Sequence, residues 1–318
     1  NKMIEILLQD KTIQKISSID ELNIDRNEIL CIHLIKTDEQ EMIKLSEKFQ
    51  FLLQPLNKRD EIEISSRYVE ENSQIFLNLT IPNLTEKEGI EQSFVHIIIL
   101  EDLVILNSNN ISKISLIEIL KNRIFDLGKK ISGQRIALLF LSALTDYYAD
   151  LIELISRRVK EYFKKVLRLK NISLEELDNL TKIKLDNIQL KECLIELQRI
   201  ILQLRRSFLI SDENKKFLTY ENKDLAVINA HIKYNFDRLN DLKENISSKI
   251  ELEQNQIIKT FTVVTVCLAP PTLIAGIYGM NFDIMPELNW ILGYPLSIFI
   301  MILSIVVTLT VLKLKKWI

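Results

Sequence analysis

The chain has 318 residues, enough for about two domains. Its 41 Lys plus Arg stand against 43 Asp plus Glu, and a net charge of -2 gives nucleic acid no electrostatic footprint. Glycines and prolines number six each, residues 134–269 hold neither, and 47% of residues are hydrophobic, which excludes a soluble all-β fold, collagen and low-complexity disorder.

Residues 1–130 read as a mixed α/β domain. The N-terminus, Asn1-Lys-Met-Ile-Glu, shows no apolar signal-peptide core. Ile29–Lys36 is an apolar strand-like run, and Thr37 with Gln40 forms a capping box that opens a helix through about Phe49. Glu61–Ile64, Gln74–Leu79, Val95–Leu100 and Leu103–Leu106 read as further strands. Ser115–Leu127 reads as a helix stopped by Gly128. No glycine-rich phosphate loop and no acid/base or nucleophile constellation appears, so an enzyme has no residues behind it. Cys31, Cys193 and Cys267, like His33, His96 and His231, lie far apart, which fits a reducing compartment and packed or surface roles.

The stretch without turn residues divides by caps. Gly133 to about Lys170 is one long helix, and Ser173 with Glu176 opens a second that runs to about Leu209. The two form an antiparallel hairpin over 131–220, with Glu175, Glu176 and Asp178 near its tip. A third helix starts near Glu221. Its apolar residues Leu225, Ile228, Ile232, Leu239, Leu242, Ile246 and Ile250 follow mostly three- and four-residue steps, a stalk over 221–256 with no stop signal at its end.

Composition changes near residue 257. Phe261–Ile277 carries no charge, nor does Ile291–Leu312, and each run is long enough to cross a bilayer. This gives a first span at 257–278, a loop at 279–290, a second span at 291–312 and a tail at 313–318. The loop has Asp283 and Glu287 but no basic residue, whereas Lys249, Lys259, Lys313, Lys315 and Lys316 flank the other ends. The positive-inside rule puts both termini in the cytoplasm. Trp290 and Tyr294 suit an outer aromatic belt and Trp317 an inner one.

Two helices cannot enclose a pore, so conduction requires an oligomer around an axis. In the first span Thr262, Thr265, Ala269, Thr272 and Gly276 share one helical face of small and weakly polar residues, and Asn255 continues it inward. Tight helix packing is the other reading of that face. Pro270 and Pro271 remove backbone donors and are expected to kink the helix. The second span is mostly aliphatic, as a lipid-facing helix would be.

Directly after the first span comes Tyr278-Gly279-Met280-Asn281-Phe282, then Met285-Pro286-Glu287-Leu288. Gly279 permits a sharp turn at the helix end. The Asn281 amide oxygen is a neutral acceptor for a cation or its bound water, suited to magnesium, which dehydrates reluctantly. Asp283 and Glu287 make the outer mouth acidic, and an oligomer multiplies them into a cation-concentrating ring.

These motifs resemble the CorA family of magnesium transporters, marked by Gly-Met-Asn after the first of two C-terminal spans and by Met-Pro-Glu-Leu beyond it. The motif-level match covers about residues 255–318. Met280 favours the magnesium branch, since the related zinc branch usually has Val there. The resemblance implies a funnel-shaped homopentamer in the plasma membrane, a passive channel for hydrated Mg2+. It implies an outer filter of Gly279, Met280 and Asn281, and a pore face of Asn255, Ile258, Thr262, Ala269, Thr272, Gly276 and Asn281. The family often has a bulky apolar residue where Ala269 stands, so the hydrophobic gate is expected lower, at Ile258 or Phe261. Lys313, Lys315 and Lys316 match a basic collar at the inner mouth, and they equally suit a simple membrane anchor.

A continuous helix from stalk to span would couple cytoplasmic motion to the pore. The family implies closure by cytoplasmic Mg2+ between subunits. Glu221 and Asp224 are candidates for that site, and ordinary solvated helix charges are the other reading. Co2+, Ni2+ or Zn2+ as cargo, or a membrane-tethered structural or signalling stalk, are the competing functions. No organic cofactor and no nucleic-acid partner is expected.

Overall fold

The computed structural model describes residues 3–53, 67–85, 89–108, 116–124, 131–168, 174–281, 285–286 and 290–317. The chain divides into two compact units, Asn1–Leu242 and Lys243–Ile318.

Among the described residues the first unit holds seven strands in one sheet: β1 (Met3–Leu8), β2 (Ile13–Ile16), β3 (Ile29–Ile35), β4 (Tyr68–Glu71), β5 (Gln74–Thr85), β6 (Gly89–Ile99) and β7 (Val104–Ser108). Their order is β2-β1-β3-β7-β6-β5-β4, and only the β3–β7 pair is parallel. Strand side chains alternate between faces, so Ile4, Ile6, Ile32, Leu34 and Ile105 share one side. They pack with Met42, Leu45 and Phe49 of helix α1 (Glu39–Phe49). The sequence reading passes over β1 and β2. β1 is buried on both faces, Glu5 included, so it lacks the alternation of a half-exposed strand.

Helix α1 also departs from the expected start. Its N-cap is Asp38, whose side chain accepts from Glu41 N, while the hydroxyl of Thr37 is buried without a partner. The expected box of Thr37 with Gln40 does not form, because the helix starts one residue later and Asp38 takes the cap; Glu41, now in the first turn, ties α1 to the preceding loop. It accepts from Ile19 N at 2.8 Å and stands 3.2 Å from Ser18 Oγ. The expected strand at Glu61–Ile64, the stop at Gly128 and the cap at Ser173 lie outside the described residues. Of the helix expected at Ser115–Leu127, α2 covers Leu116–Arg123.

β5 and β6 form a longer hairpin than expected, continuing through Pro82 to pair as far as Thr85 with Gly89. Proline in a strand requires an edge without a ladder partner. β4 pairs with Gln74–Leu77, and among the described residues no strand pairs with that side of β5 beyond Leu77. Helices supply partners there. Thr80 N donates to Glu196 Oε2 at 3.1 Å, Tyr148 Oη donates to Thr80 O at 3.0 Å, and Tyr147 Oη donates to Pro82 O at 2.9 Å. Arg67 clamps the same Glu196 from NH1 and NH2, both at 3.0 Å.

Those helices are α3 (Gly133–Arg168) and α4 (Leu174–Arg206), and α5 (Asp212–Tyr278) follows. α3 starts so close to the sheet that a Cβ on Gly133 would stand 2.1 Å from Leu100 O, which explains the glycine. α5 opens at Asp212 rather than near Glu221. Ser211 is the cap: its carbonyl accepts from Lys215 N at 2.9 Å and its hydroxyl faces Asn214 N at 3.4 Å, with Asp212 and Glu213 in the first turn. The expected stripe is buried at Leu225, Ile228, Ile232, Leu239, Leu242 and Ile246, while Ile250 is half-exposed, and the burial extends back to Leu218.

In the second unit, the outer part of α5 and α6 (Gly293–Leu314) are long and apolar enough to cross a membrane. Their most apolar stretches have mean hydropathy 1.8 and 2.5, and only 6% of each is buried. A core helix of a soluble protein would be mostly buried instead. The 67 residues of α5 span about 100 Å at 1.5 Å each.

Candidate functional site

On outer α5, Cys267 is buried and Val263, Pro270, Pro271, Ile274 and Tyr278, on the same helical face, are half-exposed, as is Thr262 beside them. On α6 the less exposed side chains include Ser297, Met301, Ser304, Ile305 and Thr308. These two shielded faces leave the small-residue stripe of α5 uncovered. Thr265, Ala269, Thr272 and Gly276 are exposed, and Thr262 is half-exposed. A Cβ placed on Gly276 would meet nothing within 4 Å. The stripe floors an open groove of about 720 Å³ lined by Val264, Thr265, Leu268, Ala269, Thr272, Leu273, Gly276, Ile277 and Met280. Val264, Leu268, Leu273 and Ile277 are walls the sequence reading did not name, although they flank the stripe by single-residue steps.

The threonines have a common chemistry. Thr262 Oγ1 donates to Ile258 O at 2.8 Å, Thr265 to Phe261 O at 2.9 Å and Thr272 to Leu268 O at 2.7 Å. Each hydroxyl proton is spent on the preceding turn. What remains toward the groove is an oxygen that accepts. Pro270 and Pro271 carry no N–H, so the carbonyls of Val266 and Cys267 lose their α-helical donors, yet the helix runs through both prolines to Tyr278.

At the helix end, Gly279 N donates to Ala275 O at 2.9 Å and Met280 N to Ile277 O at 3.2 Å. Gly279 does not adopt positive φ, so the sharp turn expected at the helix end does not draw on that freedom of glycine. The reason for glycine is close approach: a Cβ would lie 3.1 Å from Ala275 O, the acceptor of that last helical bond. Met280 and Asn281 follow, both exposed. Asp283 and Glu287 lie outside the described residues. Trp290 and Tyr294 are exposed at the start of α6 and Trp317 just beyond its end.

Further inward on α5, Asn255, Ile258 and Phe261 are exposed, the last two at 62% and 70%. Lys313 in the last turn of α6 and Lys315 and Lys316 beyond it are exposed as well. Glu221 and Asp224 sit one turn apart on α5 but in different surroundings, Glu221 buried and Asp224 exposed. Among the described residues no group of three or more His, Cys, Asp or Glu side chains could hold a metal ion.

Comparison with known proteins bears on the same residues. The family described as CorA-like Mg2+ transporter protein matches residues 27–316. The magnesium transport protein CorA of Wolinella succinogenes is 31% identical over 294 residues, 91% of each chain. That of Campylobacter jejuni strain RM1221 is 30% identical over 327 residues, 99% of each. Among solved structures, the complete CorA magnesium transporter from Methanocaldococcus jannaschii has a TM-score of 0.76 at 20% identity, covering all of this chain and 98% of that one.

Proposed function

The chain belongs to the family of CorA-like Mg2+ transporter proteins, membrane transporters rather than enzymes, and from that premise we propose that it carries hydrated magnesium through a pore lined by α5. Its two C-terminal helices cross the membrane. The observation that carries the pore assignment is the uncovered stripe with its hydroxyl protons turned back to the helix. Water bound to Mg2+ presents hydrogens outward, so a wall that only accepts suits an ion that keeps its shell.

The stripe of one chain is open to solvent, and a closed lumen takes several copies around an axis. A homopentamer in the plasma membrane, with both termini cytoplasmic, is the arrangement we propose. Gly279 and the amide oxygen of Asn281 form the outer filter, with Met280 between them. Asp283 and Glu287 draw cations to the mouth. The exposed Ile258 and Phe261 supply the hydrophobic constriction, because Ala269 adds one methyl group and cannot plug a lumen. Lys313, Lys315 and Lys316 form the basic collar at the inner mouth. Cytoplasmic Mg2+ closes the channel by binding between subunits; Glu221 and Asp224 of α5 are the acidic groups proposed for that site, and their ion would need ligands from a second chain. The unbroken α5 carries that closure to the pore.

Magnesium flux into proteoliposomes tests this, wild type against Asn281→Ala, with Co2+, Ni2+ and Zn2+ run in parallel. Wild-type Mg2+ flux that Asn281→Ala alters supports the filter. Flux indifferent to that change removes Asn281 from it. Flux of another divalent ion alone reassigns the cargo, and no divalent flux makes the chain a tether.

A further inference from the structure

The buried stripe of α5 from Leu218 to Ile246 carries two polar side chains, Glu221 at its start and Asn235 midway, and Asn235 is 1% exposed. Asn235 Nδ2 donates to Ser156 Oγ of α3 at 3.0 Å, and its Oδ1 lies 3.2 Å from the same oxygen. From α4, Asn187, fully buried, donates Nδ2 to Ile232 O at 3.1 Å. Further contacts fall on the same two turns of α5. Arg238 lies over the Phe163 ring of α3 at 5.5 Å, Lys191 of α4 over the Phe236 ring at 5.5 Å, and Lys184 Nζ donates to Asn240 Oδ1 at 3.1 Å. From Ser247 to Val266 no side chain of α5 is buried.

An apolar stripe alone specifies register weakly, because a helix slid or rotated by one turn still buries leucine and isoleucine. A buried amide specifies it, since any other register leaves that amide desolvated and unpaired. Sliding α5 by one turn would bury Asn235 without Ser156 and strip Asn187 of the Ile232 carbonyl. We infer that Ser156, Asn187 and Asn235 form a polar clasp that fixes the register of α5 against α3 and α4, and so sets how the pore-lining part of the same helix is held when the channel closes. These are positioning residues: they touch no ion and act through α5.

The link to closure rests on the proposed function, and the register itself does not, so the test reads both. In the double variant Ser156→Ala, Asn235→Leu both polar partners leave together, which avoids stranding either and keeps the fold. The full-length protein is assayed in proteoliposomes for inhibition of Mg2+ flux by Mg2+ on the cytoplasmic side, and in detergent for melting and amide exchange. The expected result is melting no lower than wild type, faster exchange of α5 amides around 228–242, and a half-inhibitory Mg2+ concentration displaced by about threefold or more. Ser156→Thr, which keeps the hydroxyl, should stay at the wild-type value. Unchanged exchange in the double variant overturns the clasp. Faster exchange with unmoved inhibition overturns its role in closure. If wild type carries no Mg2+, the transport reading and the role in closure both fall, and exchange alone still decides the register.

Discussion

Tyr148→Phe isolates the support of the β5 edge. Tyr148 is fully buried, and its hydroxyl donates at 3.0 Å to the carbonyl of Thr80, itself 2% exposed. Burial pushes the Tyr148 hydroxyl well above its usual range, so it is a neutral donor throughout the working pH range. Phenylalanine keeps the ring and removes the donor. Among the described residues no strand pairs with Thr80 on that side, because β4 ends its pairing at Leu77. The net bond is worth about 1 kcal/mol, and the desolvated carbonyl left behind raises the cost to about 2 kcal/mol. For a unit of this size that lowers the melting temperature by about 4–8 °C. Tyr147→Phe is the control. Its hydroxyl makes the equivalent bond to Pro82 O at 2.9 Å, but Tyr147 is only half-buried, so water can take over the carbonyl and the loss should stay under about 1 kcal/mol. Thermal unfolding of the detergent-solubilised protein by circular dichroism measures both. Equal losses, or none for Tyr148→Phe, would refute the argument that helix side chains satisfy this side of β5.

Three other outcomes follow from the same geometry. Gly279→Ala must fit a Cβ 3.1 Å from Ala275 O, so the last helical bond lengthens by tenths of an ångström; Mg2+ flux should fall while melting hardly moves, and unaltered flux counts against a fixed filter backbone. Ile258→Asn with Phe261→Asn should wet the constriction and leave flux at high cytoplasmic Mg2+, whereas Ala269→Ser should not; flux stopwatch traces in loaded liposomes separate the two. Burial holds His33 below its ordinary imidazole range, with Glu5, 3.8 Å away and itself paired to Lys15 at 2.9 Å, pulling the other way. The unfolded chain therefore binds the extra proton, stability is full above the ordinary His value of about 6.5 and falls as pH drops below it, and His33→Gln should flatten that fall in melting scans from neutral to acid pH.

Reading of the sequence went furthest where the physics is local. Absence of charge over Phe261–Ile277 and Ile291–Leu312 is a property of each segment, and so is the lack of Gly and Pro that lets α5 run without interruption as far as Ala269. The three- and four-residue steps from Leu225 to Ile246 and the small-residue stripe through Gly276 are likewise written into periodicity, and the structure buries the first and leaves the second uncovered. Local signals misled where distant groups compete. The cap of α1 is Asp38 rather than Thr37, and Glu41 of its first turn is held by Ser18 and Ile19. β1 hides on both faces of a sheet built by strands up to a hundred residues away.

The glycine-poor, proline-poor composition by itself determined a long-helix membrane protein and placed its turn residues beside the loop that follows the first span. Only the tertiary structure decided why Gly279 is glycine, since the obstacle is a carbonyl one turn back rather than a backbone angle. Only it showed that Pro82 survives in a strand because Tyr147, Tyr148 and Glu196 complete the edge. And only it turned Asn235 from one more polar residue in a helical stripe into the partner of Ser156, because a hydrogen bond between residues 79 positions apart leaves no trace in the periodicity of either helix.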